Sequence, residues 1–147
     1  MSTTDAQRVA RESSAAMVAA DSAARSTGIR ITDVGPGYAR AALTVAEQHV
    51  NGHGVCHGGV LFQLADTAMA HACNSYGTSA VASGADIAFL SPGSLGDELT
   101  AEAHERALAG RTGLYDVTVR TGDGSVVAEF RGRTRQVPGL APPPRVR

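Results

Sequence analysis

Asn51-Gly52-His53-Gly54-Val55-Cys56-His57-Gly58-Gly59 runs straight into Val60-Leu61-Phe62-Gln63-Leu64-Ala65-Asp66-Thr67-Ala68-Met69-Ala70-His71-Ala72: a glycine-rich loop feeding a helix. In the second half, Val60, Leu61, Leu64, Ala65, Ala68, Met69 and Ala72 recur at spacings of one, three and four, which makes one broad apolar stripe. No proline or glycine interrupts Val60 to Tyr76, and Leu, Ala, Met and Gln favour helix, so pattern and propensity agree on a buried helix ending near Gly77. Asp66 breaks the pattern. It lies too deep to cap the N-terminus, which leaves either a solvated charge at the stripe's edge or a partly desolvated base or nucleophile. Upstream, Gly58 and Gly59 put two residues without Cβ where the first unpaired N–H groups of the helix begin. Those groups, with the helix dipole behind them, suit an oxyanion or a polarised carbonyl.

On the N-terminal side, Ile29 to Val34 and Tyr38 to Val45 read as two strands around the turn Gly35-Pro36-Gly37, with Ala46 to His57 as the loop leading to the helix. On the C-terminal side, Ala80 to Leu90, Leu99 to Leu108, Thr112 to Thr121 and Ser125 to Gln136 are β segments. They are separated by Ser91-Pro92-Gly93, Ala109-Gly110 and Gly122-Asp123-Gly124, and the last two alternate as half-buried antiparallel strands. Two strands, one helix and a run of further strands make an α+β fold, with one long helix packed on one antiparallel sheet.

Residues 1–27 are rich in Ala, Ser and Arg. Asp5, Glu12 and Asp21 argue against a transit peptide, and no apolar signal core is present, so an N-terminal helix with a weak face of Val9, Ala16, Met17, Ala20 and Ala24 is expected. Its first dozen residues are open to disorder. Residues 138–147, with Pro142-Pro143-Pro144, form a tail that cannot add to a core and is expected to be disordered.

The 147 residues fit one domain. The net charge is −1 and the scattered basic residues are all arginine, which offers no footprint for nucleic acid or an anionic membrane. No apolar run approaches the roughly 18 to 20 residues of a membrane span. Cys56 and Cys73 are too few for a disulfide framework, so free thiols in a reducing cytoplasm are expected.

The pattern Asn-Gly-His-Gly-x-Cys-His-Gly-Gly-x-x-Phe-x-Leu-Ala-Asp-Thr-Ala resembles the central signature of hotdog-fold acyl-CoA thioesterases, most of all the phenylacetic-acid-degradation branch. The similarity continues through Ile87-Ala88-Phe89-Leu90-Ser91-Pro92-Gly93, Gly96 to Ala101 and Gly110-Arg111 to Val127 to Gly132, and covers roughly Gly28 to Val137. The resemblance implies a hotdog thioesterase domain over 28–137, in which the sheet wraps the helix. It also implies a homodimer as the minimal active unit, often paired into a homotetramer, with sites at the subunit interface.

The resemblance further implies that the Gly58 N–H, helped by Asn51, polarises the thioester carbonyl, while Asp66 of the facing subunit acts as base or nucleophile. His57 would orient the loop or the substrate, and Gly59 would permit close approach or serve as a second donor. The spacing asks for the same partner: from Gly58 to Asp66 is eight residues, about 12 Å of helix axis, too far for one thioester in one chain. Coenzyme A would lie along Ala82-Ser83-Gly84, along Phe89 to Ser94 including Pro92 and Gly93, and near Arg111, which could pair with a phosphate. Some related enzymes carry a water-orienting serine where this chain has Ala82, with Ser83 one place on. A one-residue shift reverses the facing of a strand side chain, so Ser83 and Thr67 stay open as alternatives. The acyl-CoA thioester is the substrate, and no cofactor is implied.

Rival readings are weaker. His49, His53, Cys56 and His57 lie within nine residues but lack a fourth ligand for a closed zinc site, so no metal is expected. Cys56 and His57 are adjacent and seldom would face each other as nucleophile and base. A hydratase or dehydratase could use His57 and Asp66. A non-catalytic acyl-CoA-binding module has no use for a desolvated carboxylate. Aryl thioesters such as phenylacetyl-CoA or hydroxyphenylacetyl-CoA are the implied substrates, with short- or medium-chain acyl-CoA as the alternative.

Overall fold

The computed structural model describes residues 2–144, so the end of the expected tail, 145–147, lies outside the described residues. In chain order the elements are α1 (Thr3–Ala20), α2 (Ser22–Thr27), β1 (Arg30–Gly35), β2 (Tyr38–Thr44), a 3-10 turn at Glu47–His49, α3 (Gly58–Cys73), β3 (Ala80–Phe89), β4 (Glu98–Ala109), β5 (Thr112–Arg120) and β6 (Val126–Gln136). The strands form one antiparallel sheet in the order β1-β2-β4-β5-β6-β3. It curves around α3, whose apolar stripe of Leu61, Leu64, Ala65, Ala68, Met69 and Ala72 is buried against it. The helix sits unusually close at Gly132 of β6, where an added Cβ would overlap the Met69 thioether. The α+β arrangement is therefore as the residue pattern demands, and the sheet wraps the helix as the resemblance implies.

Two boundaries differ from the sequence reading. The helix stops at Cys73, short of Gly77, because Asn74 ties its end to β3. The Asn74 amide donates to the carbonyls of Ala70 and Ala80 (2.9 Å each), and its Oδ1 accepts from the Ala80 N–H (2.9 Å). At the other end of the chain α1 starts at Thr3, where the first dozen residues were open to disorder. What holds α1 is polar as well as apolar. Gln7 donates to the Val34 carbonyl (2.6 Å), Ser13 to the Asn74 carbonyl (2.7 Å), and Ala10 is fully buried. Asp21 forms the elbow between the first two helices, its side chain accepting from the Ala24 N–H (2.9 Å).

His71, on α3, is 2% exposed and its Nδ1 lies 2.7 Å from the Ser14 hydroxyl of α1. Burial lowers its pKa from 6.5 to about 4, with the Asp21 carboxylate opposing part of the shift. Below pH 6.5 the unfolded chain binds this proton and the folded one does not, so stability is full above 6.5 and falls as pH drops toward 4. The loss should reach about 3 kcal/mol. Urea unfolding at pH 7 and pH 4 should show it, and His71→Leu should lose that share of the pH dependence. Equal pH dependence in the two proteins would contradict the assignment.

β3 is an edge strand of ten residues, hydrogen-bonded on one side only, to β6. Val81 and Phe89 of this strand, and Leu90 just after it, are exposed. A long, partly apolar free edge of this kind is a template for pairing with another strand. Among the described residues, no helix is long and apolar enough to cross a membrane.

Candidate active site

The loop before α3 is pinned from both sides. Cys56 N–H donates to the Gly93 carbonyl (2.7 Å) and His57 N–H to the His49 carbonyl (2.8 Å). His49 is itself buried. Its Nδ1 accepts from the Ala46 N–H (2.9 Å), so its Nε2 carries the proton and donates to the Thr27 carbonyl (2.6 Å). Thr27 also donates its hydroxyl to Gln63 of α3 (2.9 Å). The N-terminal helices thus grip both the loop and the helix it feeds. Sequence reasoning singled out neither Thr27 nor Gln63, since no local pattern announces a contact between residues 36 positions apart.

At the start of α3 four N–H groups need partners. Gly59 donates to His57 Nδ1 (2.8 Å), and Val60 and Leu61 donate to the His57 carbonyl (2.9 and 3.1 Å). Gly59 is therefore no open donor, and His57 is the N-cap of the helix. Among the described residues only the Gly58 N–H is left without an acceptor. It is the open end of the helix dipole. The Phe89 ring packs beside Gly58, so that a Cβ there would stand 3.0 Å from it.

Asn51 spends its side-chain oxygen on the loop, accepting from the N–H groups of His53 (2.9 Å) and Val55 (3.3 Å). Its amide nitrogen has no protein partner among the described residues and is the second free donor of the loop.

Asp66 is half-buried, and no hydrogen bond or ion pair reaches its carboxylate from the described residues. Burial raises its pKa above the ordinary carboxylate value. It lies on the same flank of α3 as Phe62, which sits one turn earlier and packs edge-on against Phe130 of β6 (ring centroids 5.3 Å apart). Thr67 is turned about 100° away around the axis, and its hydroxyl donates to the Gln63 carbonyl (2.7 Å).

The candidate coenzyme positions fall into two groups. Ala82, Ser83 and Gly84 lie near the start of β3, and Arg111, at the β4–β5 turn, is at the same end of the sheet on the far side of β6, its carbonyl accepting from the Gln136 N–H (2.7 Å). Phe89, Pro92 and Gly93 lie at the other end, about 20 Å further along the strand. Ser83 is the extra residue of a β-bulge, because Ala82 pairs with Thr134 and Gly84 with Arg133. A bulge re-aims side chains, so strict alternation does not govern Ser83. The Arg133 guanidinium, the far end of an exposed side chain, lies over Gly84 where a Cβ would stand. Arg111 is exposed and meets no carboxylate among the described residues. Gly93 is buried and serves the loop through its carbonyl.

Burial pushes the Cys56 thiol up to about 11 and the Cys73 thiol up to about 12, so neither is a ready nucleophile at neutral pH. Among the described residues no group of three or more His, Cys, Asp and Glu is placed to hold a metal ion.

An antiparallel sheet wrapped around one helix, with an open helix-terminal amide and an unpaired, half-buried carboxylate on that helix, is the setting in which the relatives of this chain are found. The chain belongs to the thioesterase superfamily, whose family model matches residues 53–128. It is 47% identical over 124 residues to the acyl-coenzyme A thioesterase PaaI of Escherichia coli, an alignment covering 84% of this chain and 89% of that one. The structure of the E. coli PaaI protein from the phenylacetic acid degradation operon superposes with a TM-score of 0.87 at 44% identity, covering 89% of this chain and 95% of that chain. The smu.793 protein of Streptococcus mutans, bound to acetyl CoA, matches with a TM-score of 0.72 at 25% identity, covering 75% of this chain and 89% of that chain.

Proposed function

We propose that the protein hydrolyses aryl acyl-CoA thioesters of the phenylacetyl or hydroxyphenylacetyl type in phenylacetate degradation, releasing the free acid and coenzyme A. The observation that carries this reading is the pairing of one open amide, Gly58 N–H, with one unpaired carboxylate, Asp66, on the same helix. The PaaI relationship supports acyl-CoA as the substrate class and the phenylacetate setting. A thioesterase with free donors at a helix terminus also fits the acetyl CoA held by the S. mutans relative.

In this reading the thioester carbonyl oxygen accepts from Gly58 N–H and the Asn51 amide, and His57 keeps the loop in shape as helix cap. Asp66 of the facing subunit either takes a proton from water as water attacks the carbonyl carbon, or attacks that carbon itself. In the first route the C–S bond of the tetrahedral intermediate breaks and the coenzyme A thiolate leaves, to be protonated. In the second the C–S bond breaks as Asp66 adds, the coenzyme A thiolate leaves to be protonated, and water hydrolyses the acyl-Asp66 anhydride. Single turnover in ¹⁸O-water tests the second route: label in the Asp66 carboxyl arises only from an anhydride that water opens at the aspartyl carbon, whereas the first route labels the released acid alone.

The minimal unit is a homodimer in which β3 pairs with β3 of a second copy and α3 lies beside its counterpart. That pairing would bring Phe89 to Gly93 of one subunit toward Ala82 to Gly84 and Arg111 of the other, giving coenzyme A one continuous track; two such dimers make a tetramer. The test uses subunit mixing. Asp66→Asn and Gly58→Pro chains, each inactive alone, are mixed and refolded, and a mixed dimer then holds one intact site and one doubly defective site. About a quarter of the wild-type rate should return. No recovery in proven mixed dimers would show that Gly58 and Asp66 act within one chain. Thiol release from phenylacetyl-, hydroxyphenylacetyl-, benzoyl- and fatty acyl-CoA esters ranks the substrates, and a fatty acyl preference would reject the aryl assignment.

A further inference from the structure

A cavity of about 500 Å³ opens under the α1–α2 elbow, lined by Val18, Asp21, Ala24, Ile29, Ile31, Thr67 and His71 together with Arg25, Gly28 and Arg30. Its size is that of a small-molecule site. It is separate from the catalytic flank, since His71 stands about 140° around the α3 axis from Asp66, on the side facing α1 and α2.

The walls are apolar, and the charged groups at the rim have work within the protein. Arg30 pairs with Glu98, Asp21 caps α2, and Arg25 bonds the Ala19 carbonyl and the Ser22 hydroxyl (3.4 Å each). One polar atom inside is unaccounted for. His71 is almost fully buried and its Nδ1 is engaged by Ser14, which leaves Nε2 as the atom it offers to the cavity, without a partner among the described residues. That nitrogen is reachable from the cavity, so a ligand that displaces water from it keeps the hydrogen bond only if it carries the matching group.

The chemistry of that ligand follows from the imidazole. Which ring nitrogen bears the proton depends on whether Ser14 donates or accepts. A hydroxyl both donates and accepts, so it meets either tautomer. A carboxylate accepts only, and it would face Asp21 at the rim.

We propose that this cavity is a second binding site, for a small uncharged molecule with an apolar ring or short chain and one hydroxyl group, the hydroxyl pairing with His71 Nε2 and the apolar body lying against Ala24, Ile29 and Ile31. Bound there, the molecule lies against the face of α3 opposite its catalytic flank and braces the helix that carries Asp66.

The probes are phenol and toluene, matched in ring size and differing in the hydroxyl. Titration of the full-length protein, followed by calorimetry and by the NMR signals of the His71 imidazole, should show saturable binding of phenol about ten-fold tighter than toluene, the difference one hydrogen bond supplies. His71→Leu should abolish the preference for phenol while toluene still binds. Val18→Trp, at the exposed rim, should block both compounds and leave thioester hydrolysis within about two-fold of wild type. Absence of any saturable shift at His71, equal binding of the two compounds, or phenol binding that survives Val18→Trp would each overturn the proposal. None of these readouts depends on catalysis, so failure here leaves the hydrolase reading intact, and failure of that reading leaves this site to be judged by binding alone.

Discussion

Asp66→Asn should lower kcat about 1,000-fold while changing KM little, because a positioned general base or nucleophile contributes on the order of 10² to 10⁴. The amide keeps the size of the carboxylate and removes only its charge and basicity. No hydrogen bond or ion pair among the described residues depends on that charge, so the fold should survive and the melting temperature should not fall. The same residue should set the acid limb of the pH profile. Burial raises the Asp66 pKa, so the fraction of ionised carboxylate should grow with pH through a midpoint higher than that of an exposed aspartate. A rate profile flat down to the range of an exposed aspartate would place the working carboxylate elsewhere.

Gly58→Pro should cost about 100- to 1,000-fold in kcat, the size seen when one oxyanion donor is removed. The substitution deletes the single N–H at the head of α3 that lacks an acceptor, and little else. Gly58 is the first residue of the helix, where proline is favoured, and His57 before it has φ −59° and ψ 136°, a conformation that a following proline accepts. The Phe89 ring stands close and must turn aside, which it can do because it is exposed. Helix content by circular dichroism should be unchanged. A Gly59→Ala control should be milder, since the Gly59 N–H is already held by His57 and survives the substitution. Wild-type activity in Gly58→Pro would remove the amide from the mechanism.

The period of Val60 to Ala72 was enough to place the buried helix, and the alternation around Val117 and Phe130 enough to place strands, because each pattern reflects burial of one face of a regular element. Asp66 stood out for the same reason, as a charge beside an apolar stripe. Helix geometry is also what makes the sequence reading expect a second copy, since no one thioester spans Gly58 to Asp66 along one axis. Family membership followed from the order of the motifs.

Other features depended on contacts between residues distant in sequence. Nothing local distinguishes the amide of Gly58 from that of Gly59; the His57 ring folds back and takes one of them. Nothing local places the bulge at Ser83, which is seen only in the pairing of β3 with β6. Asn74 ended the helix early through a bond to the next strand. Nothing local marks the setting of His71: docking of α1 buries it, shifts its titration and leaves one nitrogen facing a cavity. Residue type and spacing set which groups were on hand and which face of each element they occupied. Which donors were spent on the protein itself, and which stayed open for a substrate, was settled by packing, because a hydrogen bond is made by whichever partner the folded chain brings within reach.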